Sequence, residues 1–127
     1  MSIFKKFENG KMFLAGQEVE LSAIPWSLHA KFEGVALKHL ITAKDTAGEF
    51  SYHLVRVAPQ KKIGVHIHET QIETHEIIAG YGTCNTMGNE LVYKVGNIAV
   101  LPAGVEHEVV AGDEGLFIFA KFLPALC

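Results

Sequence analysis

Short apolar stretches separated by turn residues run along most of the chain. VALKHLIT (35–42), FSYHLVRVA (50–58), HEIIAG (75–80), LVYKV (91–95), IAVL (98–101), HEVVA (107–111) and LFIFAKF (116–122) are rich in β-branched and aromatic residues, as strands are. Turn-forming clusters stand between them: Lys44-Asp45-Thr46-Ala47-Gly48, Met87-Gly88-Asn89, Val95-Gly96-Asn97, Pro102-Ala103-Gly104 and Gly112-Asp113-Glu114-Gly115. No long segment keeps apolar residues at i, i+3, i+4, i+7 between two caps. The pattern predicts an all-β sandwich or barrel. Residues 1–30 are weaker in pattern. KMFLAGQEVEL reads as a strand pair or an arm, and IPWSLHAKF holds at most one short turn. The expected organisation is an N-terminal arm with edge strands over 1–30 and a β-barrel over 31–127, forming a single domain.

Strand parity sorts side chains into two faces. In LFIFAKF the set Leu116, Ile118, Ala120 and Phe122 is wholly apolar and is expected in the core, which turns Lys121 outward. In FSYHLVRVA two sets compete. One places Tyr52 and Arg56 inside; the other places His53 there. Arg56, the sole arginine, could anchor a carboxylate, but a surface ion pair is its expected role.

Composition narrows the function classes. With 49% hydrophobic and 20% charged residues, the 127-residue chain is neither disordered nor a coiled coil. Its 11 Lys+Arg against 14 Asp+Glu give a net charge of −3, which argues against a basic nucleic-acid groove. No apolar run reaches the length of a membrane span, and MSIFKKFENGKMF lacks the apolar core of a secretory leader. The chain is therefore expected in the cytoplasm. Two cysteines, Cys84 and Cys127, cannot form a disulfide framework.

The seven histidines are the unusual feature. In HIHETQIE (66–73), His66 and His68 are two apart, so on a strand both imidazoles face one side. Glu73 follows beyond a short turn, and His107 opens HEVVA after Pro102-Ala103-Gly104. Three imidazoles and a carboxylate suit one divalent transition-metal ion, whether iron, manganese, nickel, zinc or cobalt, and leave coordination positions for substrate. From Glu73 the same parity carries His75, a candidate general base because imidazoles titrate near neutrality. Tyr52 and His53 are the other candidate catalytic groups. His29, His39, Cys84 and Cys127 carry no motif and read as ordinary surface or half-buried residues. Trp26 is expected to close one end of the barrel or to pack at a subunit contact.

At these residues the sequence resembles the cupins, in particular their small single-domain, conserved-barrel members. Their first motif, G-x5-H-x-H-x3-4-E-x6-G, meets His66, His68, Glu73 and Gly80, with Gln60 in place of the leading glycine. Their second, G-x5-P-x-G-x2-H-x3-N, meets Gly96, Pro102, Gly104 and His107, with Ala111 in place of the final asparagine. The resemblance implies a cupin-type double-stranded β-helix, a jelly-roll barrel, with a metal held by His66, His68, Glu73 and His107. It implies a homodimer too, with residues 1–20 lying across the partner's sheet. The implied function is a metal-dependent enzyme of dioxygenase, isomerase or lyase type acting on a small polar organic molecule. The alternative is a non-catalytic module of the same fold that binds or senses a small ligand. A phosphosugar substrate is disfavoured, because few cations are placed to face inward.

Overall fold

The computed structural model describes residues 2–127. In chain order the elements are α1 (Ile3–Asn9), β1 (Lys11–Leu14), β2 (Gln17–Glu20), a 3-10 turn (Leu21–Ala23), β3 (Ser27–Leu28) and β4 (Val35–Ile41). Then follow α2 (Ala43–Thr46), β5 (Ser51–Val57), β6 (Lys62–His66), β7 (Ile72–Thr86), β8 (Asn89–Lys94), β9 (Ile98–Leu101) and β10 (His107–Leu123). Among the described residues, no helix is long and apolar enough to cross a membrane.

Every strand pairing is antiparallel, and β7 and β10 are long enough to serve two sheets. The first half of β7 and the second half of β10 belong to a sheet with β3, β4, β5 and β9. Their other halves pair with β6 and β8. The crossing point lies at Gly80 and Gly115. The β7–β10 register breaks between Ala111 and Leu116 and resumes with Leu116 opposite Gly80. Gly80 has φ +73°, and a Cβ there would stand 2.1 Å from the Gly115 carbonyl oxygen. A jelly roll results, as expected. Gly112–Gly115, expected as a turn between two strands, is instead an interruption inside one continuous strand, because the chain bends there without reversing.

The interior between the sheets is built by alternation. Val35, Val55, Val57, Ile77, Leu101, Val109, Leu116, Ile118 and Phe122 are all buried there. The inward set of β10 is therefore the apolar one, and Lys121 points outward to pair with Glu76. In β5 the inward set is Ser51, His53, Val55 and Val57.

A second apolar cluster covers the outer face of the larger sheet, where Phe4, Leu21, Leu40, Leu54 and Phe119 are buried. The chain before β4 supplies its lid. Ser2 caps α1 by accepting the Lys5 N–H at 3.3 Å, and Phe4 packs on Phe117 with ring centroids 4.5 Å apart. Helix α1 thus packs through Phe4 on the chain's own sheet. Helix α1 is too short to show a helical period in sequence. Trp26 sits in this outer cluster rather than at a barrel end, donating from Nε1 to Glu8 at 3.2 Å. Arg56 stacks on its ring at 4.3 Å, in place of the expected ion pair.

The close approach at Gly80 yields a comparison. Gly16 has nearly the same φ, +74°, but a Cβ added there would meet nothing within 4 Å. Gly80→Ala should cost at least about 2 kcal/mol more than Gly16→Ala in urea unfolding, because it adds a backbone collision to the shared conformational strain. Equal losses would show that the crossing tolerates a side chain.

Candidate metal centre

Three segments deliver the site. His66 ends β6, His107 begins β10, and the two are cross-strand partners with ring centroids 4.2 Å apart. His68 follows in the connection to β7, with its ring 5.0 Å from that of His66. Glu73 is the second residue of β7, where alternation turns Glu73, His75 and Ile77 inward and leaves Thr74 and Glu76 at the more exposed face. One ligand atom from each of His66, His68, Glu73 and His107 lies within 4.8 Å of the others.

Hydrogen bonds aim the rings. Nδ1 of His66 donates to the Gly64 carbonyl at 2.7 Å, and Nδ1 of His107 donates to the Val105 carbonyl at 3.2 Å. In the neutral imidazoles this leaves Nε2 as the nitrogen with a free lone pair. Nε2 of His107 stands 3.1 Å from Oε1 of Glu73, and Nε2 of His68 stands 3.6 Å from the same oxygen. Both His107 Nε2 and Glu73 Oε1 are buried and make no hydrogen bond among the described residues. Two buried lone pairs facing each other are costly to hold. A divalent cation between them removes that cost, so the donor set fits one transition-metal ion.

The other carboxylate oxygen is satisfied. Oε2 of Glu73 meets Nε2 of His75 at 2.7 Å, and Nδ1 of His75 meets the Tyr93 hydroxyl at 2.7 Å. Burial alone would raise the Glu73 carboxyl, but the neighbouring His75 ring leads the effects that outweigh it and hold the group well below the usual carboxylate range. Burial also lowers His66 and His68, which favours their neutral, ligating forms.

The three candidate catalytic groups separate. His75 is buried beside Glu73 at the cavity wall with both ring nitrogens engaged, which holds the carboxylate in place. His53 is fully buried, packs on the Phe122 ring as His68 does, and does not line the cavity described below. Tyr52 is on the outer face of the sheet, edge-on to Phe119, because β5 turns its other set inward; it is away from the site. Two participants carry no motif. Tyr93 was legible only as an inward position of LVYKV. His29 lines the cavity from the connection between β3 and β4, and its Nδ1 accepts the Lys31 and Phe32 N–H groups at 3.0 and 3.2 Å. The ring proton of neutral His29 must then sit on Nε2, available as a donor.

The cavity in front of these groups has a volume of about 150 Å³ and apolar walls that include Val35, Val55, Ile118 and Phe122. Among the described residues, no lysine or arginine lines it.

Residues 53–120, more than half of the chain, match the model of the cupin domain. No curated protein is similar enough in sequence to match the chain. Among solved structures, it is similar to a predicted oxalate decarboxylase from Thermotoga maritima. That pair has 21% identity and a TM-score of 0.74, over 81% of this chain and 95% of the other. It is also similar to the polyketide cyclase RemF from Streptomyces resistomycificus, at 19% identity and a TM-score of 0.74, over 85% and 78% of the two chains. Ectoine synthase from P. lautus aligns at 19% identity and a TM-score of 0.67, over 74% and 67%.

Two outcomes are expected. Glu73→Gln and His107→Ala should each abolish most metal uptake measured by elemental analysis, while His75→Phe should weaken it by about 10–100-fold. Full occupancy in the first two would place the metal elsewhere. The second outcome concerns acid. Burial and the neighbouring His39 push His53 down to about 4, against the attraction of Glu73. Because this folded-state value lies below the unfolded one of about 6.5, the unfolded chain takes up the proton first. Stability is then fully present above about pH 6.5 and falls as pH drops toward 4. For metal-free protein, His53 should account for a loss of about 2–3 kcal/mol between pH 7 and 4.5. Urea unfolding of His53→Gln should show a correspondingly shallower pH slope, and an unchanged slope would assign the loss to other groups.

Proposed function

The chain belongs to the cupin domain family, and from that premise we propose that it is a metal-dependent enzyme of dioxygenase, isomerase or lyase type acting on a small organic molecule. The substrate has an oxygen-bearing polar end and an otherwise apolar body. The observation that carries this reading is the pair of unpartnered buried atoms, Glu73 Oε1 and His107 Nε2, of which Glu73 lines the apolar cavity together with His66 and His68. His66, His68, Glu73 and His107 would hold the ion. When bound, such an ion supplies Lewis-acid polarisation of a substrate oxygen and, for a redox-active metal, electron transfer.

The chain's own groups do the rest. Tyr93 orients His75, and His75 holds one carboxylate oxygen so that the other faces the ligating nitrogens. Val35, Val55, Ile118 and Phe122 keep water from the reacting end and strengthen every polar contact made there. The Nε2–H of His29 offers the substrate a hydrogen bond from the cavity wall. A volume of about 150 Å³ admits a molecule of about ten non-hydrogen atoms or fewer, and walls without a cation disfavour phosphorylated substrates.

The test begins with protein purified without chelator or a nickel column. Metal near one equivalent per chain in this site is expected, with oxygen uptake or conversion in a screen of catechol-like and β-diketone compounds. Chelation should abolish that activity. His29→Ala should lower kcat/KM by about 10-fold or more with metal content unchanged, as loss of one substrate hydrogen bond predicts. Ligands that raise Tm without turnover would instead identify a binding module.

A further inference from the structure

His39 and His53 face each other across β4 and β5, where they are cross-strand partners. Their Nδ1 atoms lie 2.8 Å apart, and Cys127 Sγ lies 3.7 Å from Nδ1 of His39. One ligand atom from each of the three lies within 4.8 Å of the others. None of the three belongs to the centre described above, and none lines its cavity.

We propose that His39, His53 and Cys127 form a second metal site, selective for zinc or a similarly thiophilic divalent ion, at the end of the barrel. Three features argue for a built site. First, the sulfur is held in place by its backbone. Ala125 donates its N–H to the Gly48 carbonyl at 3.0 Å, Leu126 donates to Ser51 Oγ at 2.8 Å, and the Cys127 carbonyl accepts from Ala43 at 2.6 Å. Second, Ser51 Oγ also holds Nε2 of His53 at 2.7 Å, which aims Nδ1 at the other two groups. An outer partner on the far ring nitrogen is the usual support of a ligating histidine. Third, the spacing is near what an ion requires. Tetrahedral zinc with ordinary Zn–N and Zn–S bonds separates nitrogen from sulfur by about 3.6 Å and two nitrogens by about 3.3 Å. The distance from Cys127 Sγ to His39 Nδ1 needs almost no change, the histidine pair needs to open by about 0.5 Å, and the His53 nitrogen lies within 4.8 Å of the sulfur.

Two imidazoles and a thiolate prefer zinc over the harder ions that a carboxylate-bearing site accepts. Coordination replaces the S–H bond by a metal–sulfur bond and releases the thiol proton to solvent. No electron is transferred. Cys127 is exposed, so the ion has a route in. The ion would tie residues 124–127 to β4 and β5 and close this end of the barrel.

The test uses the metal-free full chain under a non-chelating reductant, with zinc alone as the probe and cobalt(II) as its spectroscopic substitute. Wild type should take up two zinc ions per chain. Cys127→Ser and His39→Gln should each take up one. His107→Ala should keep one equivalent, and its cobalt form should keep the thiolate-to-cobalt absorption band. That band should vanish in Cys127→Ser and survive in Cys84→Ser. Zinc should also raise Tm by more in wild type than in Cys127→Ser. One equivalent in wild type that carries the band and depends on Cys127 would uphold this site and remove the metal from the first. Equal zinc uptake by wild type and Cys127→Ser, or a cobalt complex of wild type without a thiolate band, would overturn the proposal.

Discussion

The whole architecture hangs on the place where two backbones touch. β7 and β10 can each serve both sheets only if they bend together, and they do so where Gly80 meets the Gly115 carbonyl. Without that bend the two strands would continue as a flat ribbon and enclose nothing. With it, the second half of β10 faces β5 while its first half faces β6. His107 is consequently carried back over the start of β7, where Glu73 lies. The candidate metal centre is thus a product of barrel closure, assembled from strands that meet only because the sheet folds over.

Closure then imposes an electrostatic problem that the side chains solve in part. An ionised carboxylate buried in a small apolar interior costs several kcal/mol if left alone. His75 and Tyr93 compensate one oxygen of Glu73 through two linked contacts. The charge-assisted bond from His75 returns about 1.5–3 kcal/mol, which serves one oxygen and leaves the other. That other oxygen faces a histidine lone pair. A divalent cation satisfies both at once, and the arrangement of donors fits one.

Much of this was legible in the chain. The pairing of His66 with His68, the offset to Glu73 and the turn before His107 pointed to one metal centre, and the β-rich punctuation pointed to a barrel. What parity left open in β5 was decided by distant residues. Tyr52 and His53 differ only in which face the sheet turns inward, and that depends on the apolar lid of Phe4 and Leu21 over the outer face. A lid formed from the weakest segment of the pattern carries no local signature strong enough to settle the choice. Tyr93 and His29 were hidden for a related reason: each matters through one neighbour far away in sequence, His75 in one case and the cavity in the other.

The two faces of the larger sheet divide the work between stability and chemistry. Its outer face is apolar and aromatic, sealed by the first residues, with Lys121 and Glu76 paired beside it. Its inner face carries the buried polar groups Ser51, His53, Glu73 and His75. A sheet that must hold polar groups inside needs apolar burial elsewhere to remain folded, because the polar groups contribute little net free energy of their own. The outer cluster supplies that burial. The lid is therefore coupled to the site: by covering Leu54 and Phe119 on one face of the sheet, it commits His53 and its neighbours to the other.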